Sequence, residues 1–457
     1  MNGNDEKIKM MRDEKIPRVL LKLGMPTMIG MLISSLYNVI DAYFVGGLGT
    51  SQMGSISVVF PIGQIIIGLA LAFGSGAASY ISRLLGEKNG KQANKTASTA
   101  LFSSMLVGAI VIIIILLFLD NILGSLGATE TILPYARAYG LIYIIGSILT
   151  VFNITMNNII TSEGAAKFTM ISMCIGGGLN VVLDPIFIYT FGWGVRGAAI
   201  ATVVSQLATL LFYIWYISSR KGYLKISIRD FSLDKNIYSQ VLKIGIPIFL
   251  FQLLTSISIA LTNSAASDYG DSAVAAMGIV TRVLAMGTYV VFGYTKGFQP
   301  VAGYNYGAKN YDRLTEATLT SLKWTTWFCG IVALILIIFP SQIVSLFSKN
   351  DALVTEIGSR ALRANGIVFF LFGFQIVFGT LFLALGKARE GGILSISRQG
   401  IFFIPVIFIL PHLIGLNGVI YAQPIADLLS IILTAIFAVK LKKEINILRS
   451  NTVPDEL

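Results

Sequence analysis

Residues Ala42 to Ser82 form a stretch of 41 residues without one charged side chain. That run constrains the fold more than any other feature. A chain that buried it in a water-soluble core would need polar surface elsewhere to cover it, and only 12% of all residues are charged, about half the usual ~25%. A helix crossing a bilayer needs roughly 20 apolar residues, so the run is too long for one crossing. The Gly46-Gly47-Leu48-Gly49 cluster divides it, because clustered glycines end helices. One span closes near Val45 and the next opens near Met53. The same rule applied along the chain predicts twelve spans, at about 20–45, 53–83, 94–119, 133–160, 168–191, 196–219, 240–266, 273–301, 313–339, 357–384, 393–414 and 417–440. The expected fold class is an all-α polytopic membrane protein, since helices satisfy their backbone groups internally. The polar start, up to Arg18, is read as having no cleavable signal.

The net charge of +11 is topological. If the first residues lie inside, 26 Lys and Arg fall on inner segments, five fall on outer ones (Arg137, Arg196, Lys349, Arg360, Arg363), and Arg282, Lys296 and Lys323 lie within spans. This count assigns Arg398 to the inner segment after span 10. By the positive-inside rule both termini are expected in the cytoplasm and the protein in the cell membrane. Nucleic acid is not an expected partner; the lipid bilayer is. Cys174 and Cys329 both stand in apolar runs and read as core packing.

The chain also repeats itself. Leu21-Lys22-Leu23-Gly24-Met25-Pro26 returns as Leu242-Lys243-Ile244-Gly245-Ile246-Pro247, Gly86-Glu87-Lys88-Asn89 as Gly307-Ala308-Lys309-Asn310, and Gly194-Val195-Arg196-Gly197 as Gly415-Leu416-Asn417-Gly418, each 221 residues later. A constant offset across six spans marks a duplication. Six is even, so the halves share orientation, with a cleft expected between them. The expected division is residues 1–219, a polar, basic cytoplasmic link at 220–239, and residues 240–457. A single chain with two halves is expected to act as a monomer.

Carboxylates inside spans cost several kcal/mol unless paired or hydrated, so Asp41 and Asp184 need a reason. Asp41 lies roughly 7 Å and Asp184 roughly 12 Å from the outer helix ends at 1.5 Å per residue. Tyr37 and Asn180 each stand four residues before one of these acids, on the same helix face. Tyr139 and Thr202 fall at similar depth. These six oxygen-bearing side chains are expected to converge. Pro26 and Pro185 are expected kinks, and Gly176-Gly177-Gly178 allows close approach or unwinding. The second half has no counterpart acids: Thr262, 221 residues after Asp41, and Ile404, 220 after Asp184, take those places. It holds Arg282, Lys296, Gln375 and Asp427 instead, a candidate polar site in which Asp427 is expected to pair with Arg282 or Lys296.

Six plus six spans, Pro26, the Asn-Val-Ile-Asp41-Ala-Tyr stretch, Asn180-Val-Val-Leu-Asp184-Pro185 and Gly194-Val-Arg-Gly-Ala-Ala together resemble the multidrug and toxic compound extrusion (MATE) family, in particular its bacterial MepA-like branch. The resemblance covers nearly the whole chain. It implies two six-helix lobes in a V, and export of organic, often cationic, compounds and drugs in antiport with Na⁺ or H⁺ by alternating access. It implies that Asp41, Asn180, Asp184 and Thr202 build the coupling site, as the ligand set if the ion is Na⁺, with Tyr37 and Tyr139 in the surrounding network. No cofactor beyond that ion is implied.

Other chemistries find little support. Gly86-Glu-Lys-Asn-Gly90-Lys91-Gln92 has its glycines one residue too close for a phosphate loop and lacks its hydroxyl. His412 is the only histidine and builds neither a zinc site nor a Ser-His dyad. An intramembrane enzyme is therefore not expected. A lipid-linked oligosaccharide flippase of the same superfamily is the alternative. It would call for several cations facing the cleft.

Overall fold

The computed structural model describes residues 3–219, 222–348 and 351–450. Arg220 and Lys221 of the expected link, and Lys349 of the outer charge count, lie outside the described residues. An amino-terminal helix α1 (Gly3–Asp13) precedes α2 (Ile16–Gly46), α3 (Thr50–Gly86), α4 (Gly90–Leu117), the short α5 (Leu119–Ser125), α6 (Leu133–Ser162), α7 (Ala166–Pro185) and α8 (Gly194–Ser218). The second half repeats the order with α9 (Lys235–Ser267), α10 (Asp271–Gly307), α11 (Tyr311–Ile338), the short α12 (Pro340–Ser348), α13 (Ala352–Phe369), α14 (Phe372–Ala384), α15 (Ala388–Ile396), α16 (Phe403–Ile414) and α17 (Leu416–Ser450). Among the described residues eleven helical segments are long and apolar enough to cross a membrane, and the pair α13–α14, bent by 52°, makes a twelfth. This matches the twelve expected spans.

The 221-residue offset reappears as contact symmetry. A methyl group on Gly86 would stand 2.1 Å from the Tyr304 carbonyl oxygen, and one on Gly307 would stand 2.1 Å from the Arg83 carbonyl oxygen. Arg83 and Tyr304 are themselves 221 apart. Only glycine lets these helix ends meet backbone to backbone. The turns that follow match as well: Lys88 and Lys309 adopt positive φ of 59° and 57°. Asn89 and Asn310 then cap the next helices, accepting from the Gln92 and Arg313 amides, each at 3.2 Å.

The packing is uneven along the membrane normal. At the end that carries α1 and the last turns of α17, called the terminal end, one apolar core draws on both halves, joining Leu20, Leu85, Ile159 and Tyr216 to Phe298, Leu314 and Leu385. At the other end there are two cores, one around Val45, Ile62 and Ile188, the other around Met277, Val354 and Ile407. The halves are thus sealed at the terminal end and parted at the far end, a V. The link from Gly222 to Asp234 runs along α4, its Lys225 and Ser227 amides donating to Asn94 Oδ1 (2.9 Å) and Ser98 Oγ (3.1 Å). Helix α1 is tied to both halves. Lys7 lies 3.6 Å from the buried Glu163, and Arg313 donates to the carbonyls of Met11 (3.1 Å) and Glu14 (2.8 Å).

Candidate ion-coupling site

The site begins with Gly177. A methyl there would stand 3.0 Å from Ile33 Cγ2 and 3.4 Å from the Tyr37 ring, so its absence lets α7 lie against α2. The Gly176–Gly178 run stays helical inside α7 and serves close approach rather than unwinding. Both helices then run on toward the far end. Asp41 lies one turn beyond Tyr37 and Asp184 two turns beyond Gly177, which brings their carboxyls close enough to interact. Asp184 is fully buried and Asn180 nearly so. The Asn180 amide nitrogen donates to Asp184 Oδ1 at 3.1 Å. Asp41 Oδ1, Asp184 Oδ2 and Asn180 Oδ1 are all buried, and none has a hydrogen-bond partner among the described residues. A cluster with three unpartnered acceptor oxygens fits a proton or a small hard cation.

Tyr139 stands within electrostatic reach of Asp41, Asp184 and Tyr37. Its ring stacks on Tyr143 at 5.5 Å, and Tyr143 in turn reaches Asp41. Gly63 leaves room for the Tyr143 hydroxyl, which a methyl there would meet at 2.8 Å. Tyr143 is absent from the sequence expectation, although its i+4 spacing from Tyr139 was legible. Five of the six expected residues are linked by these interactions. Thr202 is half-buried on α8 and makes no hydrogen bond to a described residue. Pro26 sits inside a helix that continues through it. Pro185 ends α7, and a π-turn, Ile186–Thr190, follows.

The second-half set is not brought together. Arg282 is exposed on α10. Gln375 is buried on α14, with Oε1 unpartnered. Lys296 donates across the boundary between the halves to Asn157 Oδ1 on α6, at 2.5 Å. The expected pairing of Asp427 with Arg282 or Lys296 is replaced by another. Arg398 Nε and Nη2 donate to Asp427 Oδ1 (2.7 Å) and Oδ2 (3.3 Å), and Gln423 Nε2 donates to Oδ1 at 2.6 Å. The reason is that Arg398 is not a loop residue. Helix α15 starts at Ala388 and leads into a π-turn, Ser397–Ile401, so Arg398 stands about 15 Å up the span. There it also stacks on the Phe372 ring, 4.7 Å from its centroid. A charge in the apolar run 393–414 was the signal. Among the described residues no three His, Cys, Asp or Glu side chains group as metal ligands.

Comparison with known proteins agrees with this architecture. The family model MatE matches residues 26–186 and 247–409, one copy per half. The multidrug export protein MepA of Staphylococcus aureus (strain MRSA252) is 31% identical over 428 residues, covering 93% of this chain and 93% of its own. The protein of the same name from Staphylococcus haemolyticus is 28% identical over 453 residues, 99% of this chain and 100% of its own. Among solved structures, the outward-facing conformation of a multidrug resistance MATE family transporter superposes with a TM-score of 0.91 at 30% identity, over 97% of this chain and 99% of that one. A MATE structure in the bent conformation gives a TM-score of 0.90, also at 30% identity, over 98% and 99%. The chain is a multi-pass membrane protein that belongs to the MatE family.

Proposed function

We propose that the chain exports organic, often cationic, compounds from the cell in exchange for Na⁺ or H⁺, by alternating access, with both termini in the cytoplasm. The observation that carries this reading is the pair of acids with buried carboxylate oxygens, Asp41 on α2 and Asp184 on α7, close enough to interact inside the membrane. Two ionised carboxylates this close repel, so the pair is stable with a proton or a cation between them. Occupancy of that site changes the charge between α2 and α7. Helix α2 also packs on α10 of the other half, where a methyl on Gly24 would stand 2.9 Å from the Tyr294 ring. An ion that draws α2 and α7 together therefore acts on an element that reaches the seal, and its differential affinity for two arrangements of the halves can bias them.

Charge asymmetry supports the assignment of sides: with Arg398 moved into a span, 25 Lys and Arg against five favour a cytoplasmic sealed end. The V then opens outward, the arrangement from which a compound is released. The names of the Staphylococcus relatives support multidrug substrates. The protein works as a monomer in the bilayer and takes no cofactor beyond the coupling ion. The flippase alternative loses support at the second half, where Arg398 is neutralised by Asp427. The test is efflux of a fluorescent organic cation from proteoliposomes of purified protein, with a Na⁺ gradient or a proton gradient imposed separately. One of the two gradients should accelerate efflux, and indifference to both would refute coupling.

A further inference from the structure

Lys296 occupies an unfavourable position in the seal between the halves. Gly293 and Gly297 flank it and bring α10 into backbone contact with α2. Methyl groups on them would each stand 2.6 Å away, from Met28 Cα and from the Gly24 nitrogen. Lys296 emerges from this tight stretch, eleven residues before the end of α10, roughly 16 Å along the helix. Arg83 and Arg313 also bond across the boundary, but both stand at helix ends. The Lys296 ammonium has three donors and meets Asn157 Oδ1 at 2.5 Å. Asn157 in turn donates to the Tyr213 hydroxyl (3.0 Å), which meets Ser172 Oγ at 2.5 Å. Among the described residues no carboxylate pairs with Lys296.

We propose that Lys296 is a spring set against closure of the terminal-side seal. It is half-buried, and so partly dehydrated, when the halves close there, and released to water when they part. An ammonium moved out of water against one neutral acceptor loses more than that bond returns. If it sheds its proton instead, closure carries that cost. In both cases the closed seal is less stable than its apolar and glycine contacts alone would make it. The conformation described here is thereby held near balance with one open at the terminal end. A lock, in which the Lys296–Asn157 bond stabilises the seal, predicts the opposite sign. This inference rests on the alternating-access reading.

The test uses the full-length protein in lipid nanodiscs, with Cys174 and Cys329 replaced by serine and pairs of spin labels reporting distances. One pair, at Glu87 and Ala308, reads the terminal end, and one, at Ser125 and Leu346, reads the far end. All four positions are exposed. Lys296→Met should raise the population closed at the terminal end by about tenfold or more relative to the open one, a change well within single-site effects. Lys296→Gln should shift it the same way. Asn157→Leu, which leaves the lysine without its acceptor, should shift the population toward the open state, and Lys296→Met with Asn157→Leu should behave like Lys296→Met. A Lys296→Met protein that opens at the terminal end, or does not shift, overturns the spring. A parent whose distances never change with ion or substrate overturns alternating access, and the spring with it. A parent that moves while the variants keep its populations overturns the spring alone.

Discussion

Replacing Asp427 by asparagine should lower thermal stability. The carboxylate accepts three hydrogen bonds, two from Arg398 and one from Gln423, and the two charged side chains are only 13% and 12% exposed. Asparagine keeps one acceptor oxygen and the side-chain shape but removes the charge. It leaves the Arg398 guanidinium uncompensated in the membrane interior, apart from the Phe372 ring. Removing one partner of a buried pair costs about 3–5 kcal/mol, and the retained carbonyl places this case at about 3 kcal/mol. At roughly 2 °C per kcal/mol for a large chain, the melting temperature should fall by about 6 °C. Cys329 supplies the assay, because it is fully buried. With Cys174→Ser as background, a thiol-reactive dye fluoresces only as Cys329 becomes accessible on heating. Replacing both partners, Arg398→Met with Asp427→Leu, removes the charge and its counter-charge together and should melt within about 2 °C of the parent. An Asp427→Asn protein as stable as the parent would refute this assignment, as would a double variant less stable than the single one.

Gly307→Ala puts a methyl 2.1 Å from the Arg83 carbonyl oxygen and should destabilise by about 1–3 kcal/mol. Gly278→Ala, on the same helix with open space around it, should be neutral or stabilising by up to ~1 kcal/mol. Paired melting curves decide between them. Burial is the largest influence on Glu163 and pushes its carboxyl up, against opposing effects of Lys7 and Tyr216. Burial likewise pushes the Lys7 ammonium down. A raised carboxyl favours the folded state at acid pH and loses that contribution as pH rises above the ordinary glutamate range. The melting temperature of the parent minus that of Glu163→Gln should therefore fall as pH rises above about 4, and a rise would contradict it.

The spans were legible because apolar length and glycine clusters are one-dimensional signals. The Gly46–Gly49 break predicted the α2–α3 turn within a few residues. The duplication was legible for the same reason, and the Gly86 and Gly307 contacts follow from it. The first-half site was largely legible too, since an acid in a span is conspicuous and its helix-face neighbours are four residues away. Tyr143 was passed over because an aromatic in a span reads as packing until a stacking partner is seen. Partners across helices were not legible. Asp427 could have met any cation at its depth, and the π-turn that turns Arg398 toward it has no sequence mark as strong as a proline. Nor did spacing bring Asn157 and Lys296 together, 139 residues apart. Only the closure of the two halves does so.

The central claim is that Asp41 and Asp184 form one coupling site. Its most direct test is gradient-driven efflux of a fluorescent organic cation from proteoliposomes by the parent, Asp41→Asn, Asp184→Asn and the double variant, each matched for melting temperature. Groups that hold one ion act as a unit, so their losses do not add. Each single variant should lose nearly all acceleration by the gradient, and the double variant should be no worse than either. Parent-like acceleration in either single variant, or losses that multiply in the double, would contradict the account.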